Sequence, residues 1–157
     1  MTQETATYTA VSDALWRQRE TLQTLLYRLV CEKLILISGS NRWLARADDE
    51  VRAAMNQLRG GELMRAVEVE ELTRLRGLDA EASLAELAAA SPEPWRTLLT
   101  DHRTALRALV FEVQGIAEEN RHLLESGSRA AQATLAEITE LVTLYDAFAR
   151  ISFDERA

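Results

Sequence analysis

Few side chains in this sequence could do chemistry, and their spacing keeps them apart. The two histidines, His102 and His122, fall on one helical stretch. Twenty residues of helix span about 30 Å, too far for a shared metal or an acid–base pair. Cys31 is the single cysteine, so no disulfide framework or thiolate cluster can form, and its apolar neighbours read it as a small buried residue. No nucleophile stands in a readable relation to a base. There is no phosphate-cradling glycine loop and no pair of Glu-x-x-His motifs for a di-metal centre. The cluster Glu68, Glu70 and Glu71 reads as a solvated helix surface. Catalytic, cofactor and metal roles are therefore not expected, and the chain reads as one that binds another protein.

The elements that must position any binding surface are helices. Gly and Pro are scarce in the 157 residues, while Ala, Leu, Glu and Arg abound, a bias toward long helices packed through aliphatic seams in one domain. The net charge of −7 argues against nucleic acid, which needs concentrated basic groups. No apolar run approaches the roughly 20 residues of a membrane span. Met1 to Ala10 lacks a basic region followed by an apolar core, so no secretory signal is expected and the cytoplasm is the expected compartment.

Ser12 and Asp13 read as the start of a first helix, with residues 1–11 frayed before it. Leu15, Leu22, Leu29 and Leu36 then recur every seven residues up to a Gly39 cap. Asn41 reads as the cap of a second helix, which runs through a kink at Gly60-Gly61 to Gly77 and forms an antiparallel hairpin with the first. Ser83 to Glu86 is a capping box for a short helix in the linker. From Ser91-Pro92-Glu93-Pro94 onward the buried face falls on Leu106, Leu109, Val113, Ile116 and Asn120. The same phase carries on through Leu124, Ala131, Leu135, Ile138, Val142 and Tyr145. Because it survives Ser126-Gly127-Ser128, the expectation is one very long third helix from about Pro92 to about Phe148. A separate fourth helix that starts at Ser128 and folds back is the rival reading.

The expected fold is thus all-α, an antiparallel hairpin plus a very long third helix in a three-helix coiled-coil bundle. At 1.5 Å per residue the helices measure about 40, 53 and 85 Å, so cover for the third runs out near Gly127. Ala131, Leu135, Ile138, Val142, Tyr145 and Phe148 would then face water within a partner-binding segment of residues 128–157, and with Leu124 before them they mark a partner surface. Asn120 on the seam is either a register-fixing polar residue or a rim position. His102 reads as a satisfied core polar residue. Trp16, Trp43 and Trp95 read as plugs at the bundle ends, with Trp43, between Arg42 and Arg46, the best alternative as a partner anchor.

A long Leu-rich hairpin, a glycine at Gly39 and a very long third helix together resemble FlgN-type flagellar export chaperones. Asn120-Arg121-His122-Leu123-Leu124 is similar to the family's Asn followed by leucines, and Tyr145-Asp146 to its C-terminal Tyr. The stretches Arg42 to Ala47 and Ser91 to Trp95 resemble actinobacterial members. The sequence departs from the family where Ala147-Phe148-Ala149-Arg150 replaces a Gly after the Tyr. The resemblance implies a cytoplasmic chaperone that binds the C-terminal helical segment of hook–filament junction proteins, prevents premature assembly and delivers them to the export gate. It implies cargo contact through Leu124, Ala131, Leu135, Ile138, Val142 and Tyr145, with Tyr145 also a gate-docking residue. The competing expectation is a structural coiled-coil protein that forms a homodimer through the same stripe.

Overall fold

The computed structural model describes residues 2–125 and 129–149. Among them the ordered elements are helices, as expected, and no strand is present. Helix α1 (Gln3–Ser38) opens on Thr2, whose hydroxyl accepts from the Thr5 amide. The start expected at Ser12, after a frayed segment, is thereby corrected. Tyr8 and Val11 are fully buried, Tyr8 stacks on Trp95 at 5.0 Å, and its hydroxyl donates to Ser91 Oγ at 2.8 Å. Burying these side chains offsets the poor helix propensity of the threonines around them. Gly39, at φ 70°, ends α1 in the left-handed conformation that glycine adopts without strain.

A short 3-10 turn, Asn41–Trp43, leads into α2 (Leu44–Leu75). Neither opens on a side-chain cap, so the capping role expected of Asn41 is taken by the turn itself. Helix α2 is unbroken through Gly60 and Gly61. Contacts Arg28–Glu50 and Arg76–Glu4, at opposite ends of α1, fix the antiparallel hairpin. The capping box of Ser83 and Glu86 opens α3 (Leu84–Ala89) as expected. At the head of α4 (Trp95–Leu123), Ser91 is not the cap. Its hydroxyl turns back to the Leu87 carbonyl, and the Glu93 carboxylate accepts from the Thr97 amide instead. Helix α4 runs parallel to α1, with His102 beside Ser12 at one end and Asn120 beside Leu29 at the other.

The single long third helix is corrected. Helix α4 stops at Leu123, and Leu124 donates back to the Asn120 carbonyl. The bend expected at Gly127 lies outside the described residues. Helix α5 (Arg129–Ala149) then returns antiparallel to α4, so four long helices pack as a bundle, closer to the rival reading. The reason is burial. At 1.5 Å per residue α5 is about 31 Å long, and a straight continuation would leave its apolar face in water and a groove open along α1, α2 and α4. Folding back covers both.

Candidate partner-binding surface

The apolar residues of α5 fall at three- and four-residue spacing, which on a helix makes one face. Ile138, Leu141 and Tyr145 are buried, and Leu135, Val142 and Phe148 pack at their edges. The floor they meet comes from three helices: Leu22 and Leu25 of α1, Leu58 of α2, Val110 and Val113 of α4. Each such side chain, fully buried, contributes about 1.5–3 kcal/mol.

Beneath the last turns of α5 the floor changes character. Gln18, 1 % exposed, accepts a hydrogen bond from the Tyr145 hydroxyl. The amide has room because position 61 is glycine: a Cβ there would lie 2.8 Å from Gln18 Nε2. Arg65, 5 % exposed, pairs with Glu62, and its guanidinium lies 3.5 Å from the Phe148 ring centroid and 5.4 Å from that of Tyr145. Its Nε and Nη1 are buried with no hydrogen-bond partner, as are Glu62 Oε2 and Asp146 Oδ1. Burial pushes the Arg65 guanidinium below its ordinary value, and Glu62 opposes the shift. The Tyr145 phenol is held well above its ordinary value, chiefly by burial. Each orphaned buried polar group costs about 1–3 kcal/mol, as much as one buried side chain returns. At the rim, Glu137 of α5 pairs with Arg59 of α2 at 3.1 Å.

The expected site residues are therefore placed differently from one another. Leu135, Ile138, Val142, Tyr145 and Phe148 do share one face, but that face is turned onto the chain's own core and not toward water. Leu124 lies in the turn after α4, half-buried, and does not join it. The side chain of Ala131 lies outside the described residues. Leu141, missed in the sequence, belongs to the face; its three-residue step from Ile138 was the available signal. Gln18 and Arg65 were missed too, although each interrupts an otherwise apolar helical row.

Other expected polar positions lie in the core, although Asn120 Oδ1 is buried there without a hydrogen-bond partner. Asn120 is buried and its amide donates to the Leu29 carbonyl and to Glu32 Oε1, both at 3.0 Å, the seam reading. His102 is buried, with Nε2 3.1 Å from Ser12 Oγ and Arg19 beside Nδ1. Trp95 plugs the bundle end against Tyr8, while Trp16 and Trp43 stay about half exposed, covered in part by Arg19 and Arg42. Among the described residues no group of His, Cys, Asp or Glu could hold a metal ion, and no helix is long and apolar enough to cross a membrane.

An all-helical bundle closed by an amphipathic C-terminal helix can be set against known families. The family model described as FlgN protein matches residues 1–147, nearly the whole chain. The chain belongs to the FlgN family. No match was found among curated proteins or among solved structures. FlgN membership makes this chain a flagellar export chaperone, a component of flagellum biogenesis and type III export. In this FlgN-family chain α5 is closed over its own bundle.

Proposed function

We propose that this chain works in the cytoplasm, where its α5 holds the C-terminal helical segment of hook–filament junction proteins, keeps them from assembling early and brings them to the export gate. One observation carries the reading. The apolar face of α5, with Leu135, Ile138, Val142, Tyr145 and Phe148, makes helix-to-helix contacts inside its own bundle that a cargo helix could equally make. Leu124 and Ala131 would extend that face toward α4 once α5 lifts, and Tyr145 would come free for the gate. The unsatisfied polar layer under the last turns of α5 supports the reading, because it weakens the hold of the helix there.

The test is the full chain with Leu135, Ile138 and Val142 all replaced by serine. It should retain the helical circular dichroism of the α1–α2 hairpin and lose binding to a purified hook–filament junction protein by calorimetry. Undiminished binding would sink the assignment. Self-association through the same face is the rival, and a stable dimer in size-exclusion chromatography with light scattering would favour it.

A further inference from the structure

Lifting α5 uncovers two apolar surfaces. One is its own face. The other is the groove it leaves, floored by Leu22, Leu25, Leu58, Val110 and Val113. A partner helix that covered only the α5 face would leave the groove in water, at a cost close to what the first contact returns. We propose that this groove is the second half of the partner site, and that its α2 wall selects an amphipathic helix bearing carboxylates. The inference rests on the export reading of α5.

Three observations carry it. First, the groove accepts an amphipathic helix, since α5 occupies it. Second, the resident helix is matched by charge at the rim, where Glu137 meets Arg59 at 3.1 Å; an incoming helix gains the same match from an acidic residue beside its first buried apolar position. Third, Arg65 lies deeper on the same wall, 5 % exposed, with two nitrogen donors unpaired. A guanidinium presents paired donors in a planar fork that fits a carboxylate. Among the described side chains of α5, Arg65 meets the rings of Tyr145 and Phe148. A carboxylate from a partner would satisfy donors that α5 does not.

Charge reversal separates this site from capture by the α5 face alone. In the full-chain double variant R59E/E137R, the rim pair is swapped, so α5 should reclose and amide exchange over residues 135–148 should return to the wild-type rate. The apolar side chains of the α5 face are left unchanged. A purified hook–filament junction protein should nevertheless bind about fivefold more weakly, the scale of one partly exposed ion pair. A fall supports the proposal whether or not α5 recloses fully. An unchanged or higher affinity overturns it. Should the wild-type chain bind no junction protein, the export reading fails by itself and a synthetic peptide of residues 129–149 tests the groove. That peptide should bind saturably to the L135S/I138S/V142S chain and weaken about fivefold when it carries Glu137→Arg. Lack of saturable binding, or indifference to that change, overturns the groove proposal.

Discussion

His102 shows how a polar residue is accommodated inside this bundle and what it does to stability. Burial, and then the Arg19 guanidinium beside it, hold its imidazole at about 4, below the ordinary 6.5. As pH falls through 6.5 the unfolded chain takes up a proton that the folded chain refuses until near 4. Stability contributed by the neutral ring is therefore lost across that window. Glu32 works in the opposite sense: burial raises its carboxyl above the ordinary range, although the Asn120 hydrogen bond lowers it in part. His102→Gln keeps a hydrogen-bonding partner for Ser12 without the titration. Its melting temperature should decline less than that of the wild type between pH 6.5 and 4 in scanning calorimetry. Parallel decline of the two would show that His102 carries none of the slope.

At the scale of the element, the helices that pack on near neighbours in sequence were the legible ones. The heptad of Leu15, Leu22 and Leu29, the cap at Gly39, the capping box at Ser83 and the stop at Gly77 all rest on contacts within a few residues or across one hairpin. The return of α5 was not legible in the same way. Its apolar phase is the same whether it continues α4 or folds back, because helical spacing lines up one face in either case; what decides is the groove of α1, α2 and α4 that folding back fills and so buries Ile138 and Tyr145. Gln18 and Arg65 interrupt apolar rows and were passed over, because the groups they meet arrive from Tyr145 and Phe148, far along the chain. This layer gives α5 a measurable weakness. Replacing a buried ion pair with apolar residues is often stabilising by about 1–4 kcal/mol, whereas removing one partner destabilises. The variant E62L/R65M should thus slow amide exchange over residues 135–148 about tenfold or more. Arg65→Met alone should speed it, since Glu62 is left without its partner. Faster exchange in both would show that the pair holds α5 down.

The whole molecule is a bundle that α5 closes over its own core. Its family places it in flagellar export, and its charge of −7 leaves attraction to a partner to local basic sites such as Arg59 and Arg65 and not to the overall field. On the proposed reading, the seating of α5 sets a kinetic ceiling. A helix already occupied must vacate before cargo can enter, and vacating is a first-order event that cargo concentration does not accelerate. In stopped-flow mixing with excess junction protein, the observed rate should rise and then level off at the opening rate of α5, and E62L/R65M should lower the plateau. A rate that climbs linearly without limit would mean that cargo engages before α5 moves. Such a ceiling would make the chaperone a timer as well as a carrier: the flow of cargo to export would be paced by one helix leaving its own groove.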